Sequence, residues 1–328
     1  MAKYHKSEAQ DWAWEALKGQ WTTLMTPFKS DGSLDEIALR SNIQYIQRLG
    51  AKGAGCTWGM GEFWSLTREE RLRVYDVVSE ESNGKWLIGA HVTHTSVAEM
   101  LLLADHAAST GFDLLIVAAS SMVTKTEDQV IEFTKHLADN TDLAIMFYNS
   151  PQFGIVMSPQ GLQELCQIPN VVGVKEASFN RDLSIEAHQL IGRQAVISTP
   201  DEWIFTKAAE LGFSQQVMFA NTSDWRFDTP GENYYVQFID MATAGNLDHA
   251  FYEAHLSRIK AISDEWWKRT MQSFAGVLPV TMCKYWGELM GLHHGSVRPP
   301  LIDLTNSEKA ELKSQLKEVR VLATSTRG

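Results

Sequence analysis

Short apolar runs recur about every 20 to 35 residues along the chain: WTTLMTP from Trp21, GAGCTW from Gly53, WLIGAH from Trp86, DLLIVAA from Asp113, LAIMFY from Leu143, VVGVK from Val171, AVIST from Ala195 and QVMFA from Gln216. Each of these eight runs is too short for a helix and shows little period-2 alternation, the pattern of strands buried on both faces of a parallel sheet. Between them the apolar positions take up a helical period. In LDEIALRSNIQYIQRLG, from Leu34, the residues Ile37, Leu39, Ile43, Ile46 and Leu49 are expected near one face. Thr67 ahead of Arg68-Glu69-Glu70 predicts a capping-box helix start, and Ser158-Pro159 places proline at a first helical position. Gly50, Gly111 and Gly212 stand where helices must stop and turn toward the next strand.

Eight strand–helix repeats predict an α/β fold, a (β/α)8 TIM barrel, and the GxGxxG that usually follows the first strand of an open doubly wound sheet is absent. The division read from the pattern is an N-terminal extension over 1–18, the barrel over 19–232 and a C-terminal helical segment over 233–328. In that last segment only helical periodicity remains, broken at Gly245, at Gly291 and around Arg298-Pro299-Pro300. Trp266 and Trp267 within it are expected as core or subunit-contact residues.

A length of 328 residues fits one barrel of roughly 250 residues plus an appended segment. No run reaches the roughly 20 apolar residues of a membrane span, and the first residues, MAKYHKSEAQDWAWEAL, lack the apolar core of a secretory signal. A cytoplasmic location without a membrane partner is expected. Cys56, Cys166 and Cys283 lie far apart with no CxxC spacing and are expected as reduced, mostly buried thiols. The net charge of −11, with no basic stripe, disfavours nucleic acid and favours a small-molecule ligand.

Reactive groups of such a barrel come from the C-terminal ends of its strands. Lys175 ends VVGVK. It is either a lysine reaching solvent or pairing with Glu176, or a partly desolvated amine whose lowered pKa lets it add to a ketone. Tyr148 ends the preceding strand, where a phenol either packs or moves the protons of carbinolamine formation. In Trp58-Gly59-Met60-Gly61-Glu62 the glycines make either a tight structural turn or a set of N–H groups offered to a carboxylate. His91 and His94, Asp201 and Glu202, and Asn221 follow strand ends as candidate pocket residues. An H-x-x-H pair without a third ligand does not make a metal site, and none is expected.

Taken in order, these segments resemble the dihydrodipicolinate synthase and N-acetylneuraminate lyase superfamily from about Gly19 to Leu304. TPFKSDGSLD resembles its first strand and loop, GMGEFWSLTREER its GTTGE-x-x-x-L-x-x-x-E-R signature, IMFYNSPQFG its YN-x-P stretch, VVGVKEAS its Schiff-base strand, and VRPPL its carboxy-terminal region. The resemblance implies Lys175 as the imine lysine, Tyr148 as the proton shuttle, no cofactor beyond the covalent imine, a 2-oxo acid substrate and a homotetramer. Gly59 and Met60 stand where most relatives carry two threonines. The substrate carboxylate then falls to the N–H groups of Gly59, Met60 and Gly61, and the proton relay to water, Thr57 or Ser121. Met122 lies near the place of an aromatic that a neighbouring subunit contributes in the synthases. Gln152, Phe153 and Gly154 replace an arginine that binds the synthases' second substrate, which argues against lysine biosynthesis.

Trp58, Met60, Trp64, Met122, Phe153 and Trp203 fall near strand ends and predict an apolar, aromatic-lined mouth suited to a flat hydrophobic aldehyde. GQWTTLMTP also resembles the hydratase-aldolases of polycyclic aromatic degradation, which cleave arylidene-pyruvates to an aromatic aldehyde and pyruvate. A Schiff-base-forming lyase of that kind is the expected function, with Thr57, Gly59, Met60, Gly61, Ser121, Met122, Phe153, Trp203 and Asn221 as substrate contacts. The alternatives are an aldolase or dehydratase of 2-oxo-3-deoxy sugar acids, and a non-catalytic 2-oxo-acid binder.

Overall fold

The computed structural model describes residues 4–220, 222–273 and 277–319. Its eight strands are β1 (Gly19–Thr23), β2 (Gly53–Cys56), β3 (Leu87–His91), β4 (Leu114–Ala118), β5 (Ala144–Asn149), β6 (Val171–Glu176), β7 (Val196–Ser198) and β8 (Val217–Phe219). They pair in parallel in the spatial order β7-β6-β5-β4-β3-β2-β1-β8. The two ends of the sheet meet where the Phe219 N–H donates to Ser198 Oγ at 2.9 Å, and the sheet curls into the (β/α)8 barrel predicted from the eight runs. Every strand residue except Leu87 is buried, which is why the runs carry no polar alternation.

Indole rings fill the barrel. Trp21 of β1 packs 4.9 Å from Phe219 of β8, and Trp58, just past β2, packs 5.9 Å from the same phenylalanine. The small residues of β2 answer to them: a Cβ on Gly53 would lie 2.6 Å from the Trp21 ring, and one on Gly55 2.0 Å from the Trp58 ring. Close packing leaves no room for both a side chain there and an indole.

Helix signals in the sequence mark real boundaries. Thr67 Oγ1 accepts the Glu70 N–H while Glu70 Oε2 accepts the Thr67 N–H, completing the capping box of the helix Arg68–Ser82. Ser158 caps Pro159–Leu165, and Gly50, Gly111 and Gly212 all take positive φ at turns. One expectation fails. In Glu36–Gln47 the buried face is Ala38, Leu39, Ile43 and Ile46, whereas Ile37 is 81% exposed. Positions 37 and 39 are separated by about 200° around a helix, so they cannot share a face.

The first helix, Ala9–Ala16, lies against β5 and β6. Gln10 Nε2 donates to the Val171 carbonyl, and the Tyr4 hydroxyl donates to the Asp113 carbonyl and accepts the Ala144 N–H. All three backbone partners begin or precede strands, so this segment sits at the N-terminal end of the barrel, away from the mouth. Beyond β8, the helix Tyr234–Thr243 packs on β1, and Ser257–Ser273, Val280–Leu289 and Asn306–Val319 pack on one another. Trp266 is buried there as expected of a core residue, and Trp267 is partly buried. The three cysteines are free, with Cys56 and Cys283 buried and Cys166 partly so. Among the described residues no helix is long and apolar enough to cross a membrane.

Candidate active site at the barrel mouth

Register builds the site. Tyr148 on β5 is paired with Lys175 on β6, which is paired in turn with Ser198 on β7. Partners in register point to one face, and β6 alternates, so Lys175 faces the barrel interior while Glu176 faces outward. Glu176 accepts from Asn149 Nδ2 at 2.7 Å and from the Ser178 N–H at 2.8 Å, and Ser184 Oγ donates to it from the outer helix Arg181–Ile191. It is no partner of Lys175.

Lys175 is 1% exposed, with Nζ 4.5 Å from the centroid of the Trp58 ring and 4.5 Å from that of Tyr148. Burial lowers its pKa from 10.5 to about 7, because these rings replace little of the hydration an ammonium loses. A substantial fraction of the amine is therefore unprotonated at neutral pH and able to attack a carbonyl. Tyr148 moves the opposite way. Burial pushes its phenol well above the usual value, and hydrogen bonding with the Ser150 side chain offsets only part of that. Near neutrality it is a proton donor, set beside a nucleophilic amine.

The loop after β2 begins at Thr57 and closes at Glu62, both with positive φ, around the tight turn Gly59–Gly61. The Gly61 N–H donates to the Trp58 carbonyl at 2.9 Å and the Glu62 N–H to that of Gly59, so within the turn the Gly59 and Met60 amides are the ones with no acceptor among the described residues. Gly61, expected as a third carboxylate donor, has its amide engaged. A Cβ at position 59 would lie 2.5 Å from Leu278 Cδ1, so a threonine there would require that leucine to move. The Thr57 hydroxyl donates to the His91 carbonyl, beside Tyr75 and Arg71, and among the described residues no hydrogen bond joins it to Tyr148.

Phe153 is brought in. It is buried, with its ring 5.0 Å from Tyr148, 5.6 Å from His91 and 5.8 Å from Phe63. Phe63 is an addition to the expected set, whereas His91, a candidate pocket residue at the end of the third apolar run, takes its place in this aromatic wall. Met60 is buried in the turn. Ser121 borders the Phe153 loop, its Cβ 3.0 Å from where a Cβ on Gly154 would be, but Met122 beside it is 75% exposed. Trp203 is half-exposed, with the Arg181 guanidinium 4.4 Å over its ring and Arg181 ion-paired to Asp201, a group apart from the Lys175, Tyr148 and Phe153 cluster. Asn221 lies outside the described residues. Among those residues no three His, Cys, Asp or Glu side chains gather as metal ligands.

A buried ion pair braces the loop, and the sequence reading missed it. Glu62 and Lys284 lie 2.6 Å apart, with side chains essentially inaccessible. Lys284 also donates to the Ser296 carbonyl, and the Arg298 N–H donates to Glu62. The Arg298 guanidinium adds bonds to Glu70 and to the Gly32 and Ser65 carbonyls. Burial pushes Glu62 up and Lys284 down, each toward its neutral form, while their mutual attraction opposes both shifts. The signal available was a lysine inside the otherwise core-like helix VTMCKYWGEL.

The chain is 27% identical over 307 residues to the 4-hydroxy-tetrahydrodipicolinate synthase of Methanothrix thermoacetophila, an alignment covering 92% of this chain and 96% of that protein. It is 25% identical over 315 residues to the N-acetylneuraminate lyase of Rhizobium meliloti, covering 94% and 98%. Among solved structures, a prophage protein of the dihydrodipicolinic acid synthase family from E. coli K12, in complex with pyruvate, superposes with a TM-score of 0.79 at 21% identity, covering 92% of this chain and 98% of that one. At that identity the superposition speaks for the shared fold. The profile of the Dihydrodipicolinate synthetase family matches residues 16–319, from just before β1 to the end of the last described helix, and the chain belongs to that family.

Proposed function

We propose that this protein is a Schiff-base-forming, pyruvate-dependent lyase acting as a hydratase-aldolase, which cleaves an arylidene-pyruvate or related 2-oxo acid to an aldehyde and pyruvate. Enzymes of the family work through a covalent lysine imine with pyruvate and need no additional cofactor. The observation that carries the reading is the buried amine of Lys175, lowered to about 7, beside the protonated phenol of Tyr148. Lys175 attacks the 2-oxo carbon, Tyr148 supplies the proton that lets water leave, and the iminium becomes the electron sink. Water then adds at C4 of the conjugated iminium, and the C3–C4 bond of the resulting aldol breaks, releasing the aldehyde and leaving the pyruvate enamine on Lys175.

Support for an aromatic aldehyde comes from the aromatic side chains that gather here, Trp58 and Tyr148 against the amine, Phe153 on Tyr148 and Phe63 on Phe153. A 2-oxo-3-deoxy sugar acid would instead need hydroxyl-binding groups. Borohydride reduction with pyruvate should leave a reduced three-carbon adduct on Lys175, read by peptide mass spectrometry. An unmodified Lys175 peptide would count decisively against the mechanism, and faster turnover of polyhydroxy than of aryl substrates would sink the aromatic assignment alone.

A further inference from the structure

His91 is the last residue of β3 and is fully buried. It pairs with Ile116, which pairs with Met146, two positions before Tyr148 on the same face of β5. His91 therefore shares the barrel interior with Tyr148 and Lys175. The helix Arg68–Ser82 pins its backbone, since the Tyr75 hydroxyl and the Arg71 guanidinium both donate to the His91 carbonyl.

The side chain is fixed as well. Nδ1 lies 2.9 Å from the Thr57 carbonyl oxygen. A carbonyl only accepts, so that nitrogen carries the hydrogen and the neutral ring presents a lone pair at Nε2. The two nitrogens occupy nearly opposite edges of the ring, and β2 and β5 lie on opposite sides of β3 in the sheet. With Thr57, just past β2, at the Nδ1 edge, Nε2 is turned toward the side of Phe153, just past β5, whose ring is 5.6 Å from that of His91 and 5.0 Å from that of Tyr148. Nε2 is buried and has no hydrogen-bond partner among the described residues. An empty buried acceptor is a cost to the fold, met where a bound molecule supplies the donor. Burial holds the imidazole well below its ordinary pKa, and the charges of Arg71 and Lys175 add to this, so the lone pair is available at neutral pH.

We propose that His91 is a catalytic residue of this site, its Nε2 accepting the O–H at C4 of the substrate, first from the water that adds there and then from the hydroxyl of the aldol. The assignment rests on the hydratase-aldolase reading. As the water oxygen bonds to C4, the C3–C4 π pair moves to C2–C3 and the C2–N π pair onto nitrogen, and the water proton passes to Nε2. Nε2–H returns that proton to C3, which restores the iminium. In cleavage the C4 hydroxyl gives its proton to Nε2 while the C3–C4 σ pair moves into a new enamine and the aldehyde leaves. Protonation of that enamine at C3 by Nε2–H yields the pyruvate imine. Each time the imidazolium forms, the iminium charge disappears, so the reaction adds no net charge to the buried site.

Benzylidenepyruvate is the probe, with the full-length protein. His91→Asn keeps an amide N–H for the Thr57 carbonyl at the place of Nδ1 and leaves nothing at the place of Nε2. His91→Gln instead sets an amide oxygen near the place of Nε2. His91→Asn should still trap pyruvate on Lys175 with borohydride, while kcat for benzylidenepyruvate falls about 100-fold or more. His91→Gln should recover about tenfold of that loss. If His91→Asn does not fold, wild-type protein carrying histidine isotopically labelled at the ring nitrogens answers instead. The Nε2 resonance should move upfield when the adduct reduced onto Lys175 comes from 4-hydroxy-2-oxo-4-phenylbutanoate, which brings a C4 hydroxyl, and not when it comes from pyruvate. A kcat for His91→Asn within threefold of wild type, a His91→Gln no faster than His91→Asn, or an Nε2 resonance indifferent to the C4 hydroxyl overturns the assignment and leaves the imine chemistry standing. Wild-type protein that traps no pyruvate, or traps it and turns over no benzylidenepyruvate, fails at the parent reading and takes this one with it.

Discussion

Tyr148 and Lys175 are register partners on adjacent strands, and the amine sits 4.5 Å from the phenol ring in a space closed to solvent. The same burial moves their pKa values apart, lowering the lysine and raising the tyrosine. That separation gives one neutral nucleophile and one neutral acid at the same pH, which is what carbinolamine formation and dehydration need.

The lysine's pKa bears on both stability and rate. A folded value of about 7 against 10.5 means the folded state disfavours the ammonium that the unfolded chain carries, at a cost of at most about 5 kcal/mol. The sign follows: the penalty is fully present below about pH 7 and disappears as pH rises toward 10.5. Lys175→Met should therefore stabilise the protein by a few kcal/mol near pH 6, with a gain that shrinks toward pH 10, measured by urea unfolding across that range. Pyruvate trapping by the native enzyme should accelerate as pH rises through about 7. A pH-independent stability difference would show that the amine is hydrated rather than buried.

Legibility of this architecture varied with the kind of force involved. Eight strands could be read because burial on both faces forces contiguous apolar runs, and their ends marked Lys175, Tyr148 and His91. Helix starts at Thr67 and Ser158 were legible because capping is local chemistry. Thr57 and Trp203 were placed near the mouth by sequence position, yet the Thr57 hydroxyl is bonded to the His91 carbonyl and Trp203 stacks with Arg181. Side-chain direction at a positive-φ residue or on a short helix is set by tertiary partners, which a sequence does not display. The Glu62–Lys284 pair joins residues more than two hundred positions apart and leaves no periodic trace.

Removing the phenol should separate chemistry from fold. Tyr148→Phe keeps the ring that packs on Phe153 and Lys175, so the melting temperature should change little. Turnover should fall by about 10² to 10⁴, the usual contribution of a positioned acid–base group, with KM for the 2-oxo acid much less affected. Steady-state kinetics beside a thermal melt decide the matter. A loss of less than threefold in kcat would remove Tyr148 from the proton path and point to water in its place.

The braced loop makes a prediction of its own. Lys284→Met leaves the Glu62 carboxylate buried beside a thioether, and breaking one side of such a pair costs about 3 to 5 kcal/mol. Because burial raises the Glu62 pKa, the stranded group escapes its penalty by taking up a proton, so the deficit should be largest at alkaline pH and shrink as pH falls. Adding Glu62→Gln should recover most of the loss, since the amide oxygen can still accept the Arg298 N–H while the charge is gone. Urea denaturation of both single variants and the double variant at two pH values completes the cycle. A double variant no more stable than Lys284→Met would mean that the loop is held by Arg298 and packing, with the ion pair a bystander.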